Sequence, residues 1–175
     1  MDRAVFNFLN LEISSPWLDK TMILVSSEEL WIGCILSALA IAIYQKNKFA
    51  MIGLLTSLLA VGISDATSSY MLKPFFDRIR PCKDLIPDIE VRVVSGCAGV
   101  WSMPSNHASN SAAGVMWLWL YGFKKWANIL FIVVLLVGIS RIYLGYHYPS
   151  DIIVGFLWGS IVALGMHFVA KKKFP

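Results

Sequence analysis

The chain has 175 residues, of which 57% are hydrophobic and only 15% charged, with 15 Lys and Arg against 11 Asp and Glu for a net charge of +4. A soluble domain carries about 25% charged residues, so this composition points to lipid rather than water as the main solvent. The length suits a single domain, 1–175. The basic residues fall in short clusters between apolar runs, not along a stripe with exposed aromatics, which argues against nucleic acid as a partner. Arg3 is followed by only a short apolar stretch with no small-residue cleavage site, so no cleavable signal is expected.

In chain order, residues 3–11 and 16–27 mix apolar and polar positions and read as amphipathic helices at the membrane interface, within residues 1–28. Ser15-Pro16 marks a helix start, with Pro at the first helical position. Five apolar stretches follow, at 29–44, 50–72, 105–121, 126–143 and 149–170, against the ~20 residues a helix needs to cross a bilayer core. The fold class is therefore all-α: a polytopic transmembrane bundle of five spans, or six if the N-terminal region contributes one. Between the second and third stretches lies a long polar loop, 73–104.

Lys46 and Lys48, Lys124 and Lys125, and the Lys171–Lys173 tail fall on one side of a five-span bundle. Loop Lys and Arg mark the cytoplasmic side, which sends the 73–104 loop and the 144–148 turn outward. Trp17, Trp31, Trp101 and Trp126 sit near span ends, where amphipathic rings settle. Cys34 is expected to be buried in the first span. Cys82 and Cys97 share the outer loop, and two readings stand: a disulfide in an oxidising compartment, or two free thiols.

Three polar clusters carry the chemistry. Lys73 and Arg80-Pro81 flank the start of the loop, where basic side chains either bind an anion or snorkel to headgroups. The span before them holds Ser64, Asp65, Thr67, Ser68 and Ser69, polar groups costly in lipid that must face the bundle interior. Asp65, Ser69 and Lys73 are spaced four apart, so Asp65 is expected below Lys73 on one helical face, orienting Lys73 or Arg141 or simply tying two spans together. Pro104-Ser105-Asn106-His107 opens the third span, where free N–H groups and the helix dipole favour an anion. Ser105 is positioned to cap that helix and to donate to a phosphate oxygen. Ser140-Arg141, then His147, then Asp151, is the most informative cluster. A charge such as Arg141 in an apolar span costs several kcal/mol unless it meets an anion, whether Asp65 or a ligand. Asp151 is within reach of one His147 nitrogen, which would fix the tautomer and free the other nitrogen to attack.

Jointly these clusters resemble the type 2 phosphatidic acid phosphatase family, whose motifs read K-x6-RP, PSGH and SR-x5-H-x3-D. The resemblance covers Lys73 to Asp151, with one departure: Asn106 stands where the family has Gly. That residue keeps a backbone N–H for phosphate, while its side chain would narrow the pocket or add a donor. The resemblance implies His147 as the nucleophile forming a phosphohistidine, Asp151 as the residue that orients it, and His107 as the acid that protonates the leaving oxygen and then activates water. It also implies Lys73, Arg80, Ser105, Asn106 and Arg141 as the phosphate cradle, with no metal and no cofactor. The substrate class is a phosphorylated membrane lipid met at the outer face of a bacterial inner membrane. Candidates are undecaprenyl diphosphate, phosphatidylglycerol phosphate, phosphatidic acid and the 1-phosphate of lipid A. Arg78, Lys83 and Arg92 are spare loop cations, available to a second phosphate or to headgroups. Two other classes fit parts of the pattern: a lipid phosphotransferase with the same histidine, and a binding or transport protein that would not need His147 and Asp151.

Overall fold

The computed structural model describes residues 2–83, 90–97 and 99–173 and is all-helical, with a single isolated bridge between Ile79 and Trp101 among them. Its elements are α1 (Asp2–Asn7), α2 (Pro16–Ser26), α3 (Glu28–Tyr44), α4 (Lys48–Thr67), α5 (Lys73–Phe76), α6 (Asn106–Tyr121), α7 (Lys124–Tyr143) and α8 (Pro149–Lys173). Wide π-type turns at Phe8–Glu12 and Ser68–Leu72 continue α1 and α4. Among the described residues, three helical stretches are long and apolar enough to cross a membrane: Lys48–Phe76, Lys124–Tyr143 and Pro149–Lys172. A fourth forms if α2 and α3, bent by 49° at Ser27, act as one broken span. The stretches expected at 29–44 and 105–121 are helical as α3 and α6, but at 17 and 16 residues they are the shorter members.

Helix starts follow local chemistry. Ser15 accepts from Leu18 N with Pro16 at the first helical position, and Ser27 and Asn47 cap α3 and α4 in the same way. A side-chain cap of this kind contributes about 1 kcal/mol. Ser105 departs from the expectation: it occupies the cap position of α6 but makes no capping bond, and its buried Oγ has no partner.

α6 is the central helix, packed on α4, α7 and α8. Small residues permit this. Ala108, Ser109, Ala112 and Ala113 are buried, and a Cβ at Gly155 of α8 would come within 2.8 Å of the Ser105 carbonyl. Where lipid supplies no hydrophobic drive between helices, close backbone approach is the main source of association. α3 packs chiefly on α4, which leaves most of its circumference open. Cys34 is therefore exposed, a correction to its expected burial. The outward faces carry Leu36, Ile43, Leu55, Leu59, Ile132, Leu135, Leu157 and Ile161, all exposed, an apolar belt suited to lipid rather than water. The N-terminal segment docks on the bundle: Phe6 is fully buried, its ring 5.4 Å from that of Tyr148.

Candidate active site

The 73–104 loop is held to the bundle at several points. Arg80 N donates to Val100 O at 3.0 Å and Ser102 N to Arg78 O at 2.7 Å, an antiparallel contact around the Ile79–Trp101 bridge. Cys82 and Cys97 are bonded, Cα to Cα 6.2 Å, closing the same loop; of the two readings open from sequence, the disulfide is the one observed. Asp84 and Asp88, interleaved with the loop cations, lie outside the described residues. The turn after α7 depends on Gly145 at φ +83, where a Cβ would meet Arg92 O at 2.8 Å. That turn delivers His147.

His147 and Asp151 are 1% and 0% exposed. His147 Nδ1 lies 3.6 Å from Asp151 Oδ2, which leaves Nε2 facing away from the carboxylate. Asp151 is held from three further directions. Tyr148 N donates to Oδ2 at 2.7 Å, Arg78 Nη1 to Oδ1 at 2.8 Å, and Ser102 Oγ makes a short bond to Oδ2. Ser102 Oγ is also 3.3 Å from His147 Nδ1, so it bridges the pair. Burial pushes the His147 imidazole down to about 4; the bond to Asp151 opposes this and the Arg80 charge adds to it. The ring is thus neutral at ordinary pH.

A cavity of about 1270 Å³ opens in front of this pair. Its polar end is lined by Lys73, Arg80, Arg141, His107, His147 and Asn106, bringing the three predicted cations and both histidines to one wall. The cavity then runs between α3, α4, α6 and α7 past Ile35, Leu58, Val115 and Val134. Arg141 is 9% exposed; it donates to Ser26 Oγ at 2.6 Å and stacks on the Tyr146 ring, while its Nε has no partner among the described residues. No carboxylate lies within 4.0 Å of it among the described residues. Arg80 is oriented by its Nε bond to Trp101 O at 3.1 Å. Burial holds its guanidinium below the ordinary value, and Asp151 counters this. His107 Nε2 lies 3.8 Å from Glu28 Oε1.

At four positions the geometry narrows readings left open by the sequence, and for Asp65 it favours the tie between two spans. Asp65 pairs with neither Lys73 nor Arg141. The π turn at Ser68–Leu72 inserts between Asp65 and Lys73 and breaks the four-residue register. Asp65 Oδ1 instead accepts from Asn106 Nδ2 at 2.7 Å and Asn110 Nδ2 at 2.8 Å. Arg78 lies beside the His147–Asp151 pair rather than in the cavity wall, joined to Asp151, Ser150 and Asp2. Arg92 is taken up by a two-pronged contact to Asp19 at 2.7 and 3.1 Å and by Asn10. Lys83 is exposed and outside the cavity wall. Sequence reasoning missed Ser102, Ser26, Glu28 and Asp2, which carry no motif and reach the site only through tertiary contact.

The cationic, serine–histidine and arginine–histidine–aspartate clusters meet at one pocket, and a PAP2 superfamily profile matches residues 49–175. The chain belongs to the PAP2 superfamily. It is 34% identical over 178 residues to a lipid A 4'-phosphatase of Porphyromonas gingivalis, covering 98% of this chain and 72% of that one. It is 28% identical over 176 residues to a lipid A 4'-phosphatase of Bacteroides thetaiotaomicron, covering 98% and 78%. The crystal structure of a transmembrane PAP2-type phosphatidylglycerolphosphate phosphatase from Bacillus subtilis superposes with a TM-score of 0.70 at 24% identity, covering 99% of this chain and 86% of that one. This PAP2 chain is a multi-pass membrane protein and an enzyme of the phosphoric monoester hydrolase class.

Proposed function

We propose that this PAP2 enzyme removes a phosphate from a membrane lipid through a phosphohistidine on His147, without metal or cofactor. The observation that carries this reading is the buried His147–Asp151 pair at the cationic end of a cavity whose walls turn apolar. His147 Nε2 attacks phosphorus while Asp151, with Ser102, holds Nδ1. Lys73, Arg80 and Arg141 neutralise the equatorial oxygens, since phosphoryl transfer needs mainly positioning and charge stabilisation. Ser105 Oγ and the Asn106 N–H complete the cradle at the α6 N-terminus. His107 protonates the leaving oxygen, then takes a proton from the water that cleaves the phosphohistidine. The acyl chains lie against α3, α4, α6 and α7.

The names of the relatives favour a phosphomonoester of lipid A as substrate, ahead of undecaprenyl diphosphate and phosphatidylglycerol phosphate. Five to six crossings are proposed, with α3 and α6 as short spans, α1 and α2 at the interface, and the site facing the outside of a bacterial inner membrane. The test is phosphate release from a lipid-phosphate panel in detergent with chelator present, parent against His147→Ala. Release that vanishes in the variant is the expected result. Release that survives it, or that stops on chelation, overturns the mechanism. Label moved to an added acceptor lipid rather than to water would make the enzyme a phosphotransferase.

A further inference from the structure

Asp65 is a carboxylate on a membrane helix, exposed, and it lines the cavity between the cations and the apolar walls. An ionisable group at such a depth is costly and needs a function or a partner. Among the described residues its hydrogen-bond partners are two amides. Asn106 and Asn110, one turn apart on α6, both donate to Oδ1, and Asn106 Nδ2 also reaches Ser69 Oγ at 2.7 Å. The carboxylate, which only accepts, fixes the amide orientation, so the Asn106 nitrogen faces Asp65. Oδ2 has no hydrogen-bond partner, and no cation lies within 4.0 Å of the carboxylate, among the described residues. The side-chain donors of Asn106 are therefore spent on Asp65 and Ser69, leaving its backbone N–H for phosphate.

Resting on the proposed phosphatase reading, we infer that Asp65, held by Asn106 and Asn110, is a substrate-specificity residue: its Oδ2 accepts a hydrogen bond from an O–H or N–H on the lipid segment joining the phosphate to the acyl chains. A carboxylate can accept from such a donor but only repels a bare phosphate or ester carbonyl, so it selects by chemistry rather than size. An acylated amino sugar presents hydroxyl and amide N–H donors there. A fully esterified glycerol phosphate or a polyprenyl diphosphate presents none. This selects among the candidate lipids, and it gives the Asn that replaces the family's Gly a role in aiming the selector.

The test compares kcat/KM for two lipid phosphates in the same detergent: a monophosphorylated, amide-acylated glucosamine lipid and phosphatidic acid. Asp65→Asn and Asn106→Gly are measured beside the parent. The parent is expected to prefer the amino-sugar lipid, and that ratio should fall by about 10-fold in Asp65→Asn, the range for a hydrogen bond to a charged group, and by less in Asn106→Gly. Thermal melting of each variant controls for loss of the α4–α6 tie, which would lower both substrates together and leave the ratio fixed. A ratio unchanged in Asp65→Asn overturns the inference, leaving Asp65 as a helix tie. A parent that releases phosphate from neither lipid overturns the phosphatase reading, and the inference with it.

Discussion

Ser102→Ala isolates how much of the reaction depends on holding the His147–Asp151 pair. Ser102 is fully buried and does not line the cavity, so no substrate atom touches it. Its Oγ bonds Asp151 Oδ2 and lies 3.3 Å from His147 Nδ1. A hydrogen bond to a charged group contributes about 1.5–3 kcal/mol. The lower end applies, because Arg78 and Tyr148 N still hold the carboxylate after the change. At about 1.4 kcal/mol per decade, kcat should fall about 10-fold. KM should stay within about 2-fold, since only the attacking pair is disturbed. The assay is steady-state phosphate release, with alkali-quenched rapid mixing to follow the acid-labile phosphohistidine. A kcat within about 2-fold of the parent, with unaltered melting, refutes the bridging role. A rise in KM at constant kcat would place Ser102 in substrate contact and refute it equally.

The pH profile follows from the His147 value. With the imidazole pushed down to about 4, the nucleophile is neutral above that pH and protonated below it. The acid limb of kcat/KM should therefore sit near 4 rather than 6.5. Because Asp151 raises the His147 value, Asp151→Asn should move that limb to still lower pH while lowering kcat; a limb that moves upward would contradict the assignment. Arg141→Lys keeps the charge but removes the planar fork from a cavity wall where Nε is unpartnered; activity should fall by at least about 10-fold, and parental activity would remove Arg141 from the cradle. Cys82→Ser with Cys97→Ser opens a loop closed over a separation of 15 residues, worth about 3 kcal/mol. Melting should drop by several degrees, and dithiothreitol should lower the parent but not the double variant.

What the sequence made legible follows a physical divide. Lys73, Arg80, Arg141, His107, His147 and Asp151 could be found because each is an ionisable group where an apolar chain has no structural use for one, and fixed spacings grouped them. Ser15-Pro16 was legible as local chemistry. The partners were not: Ser102 meets Asp151 across 49 residues and Ser26 meets Arg141 across 115, and a lone serine in an apolar chain carries no mark of its destination. The pairing of Asp65 with Lys73 failed for another reason. Spacing arguments assume 3.6 residues per turn, and the π turn at Ser68–Leu72 leaves no mark in the residue spacing. Arg78 and Arg92 looked spare because their partners, Asp2, Asp151 and Asp19, lie more than 70 residues away.

The bend at Ser27 sits against the candidate site. Ser26, just before it, holds Arg141, and Glu28, just after it, faces His107. Arg141 and His107 thus both meet the one elbow at Ser26–Glu28, whose far arm, α3, packs chiefly on α4. A retilt of α3 on α4 would therefore reach a buried guanidinium and a cavity histidine through the same corner of the chain.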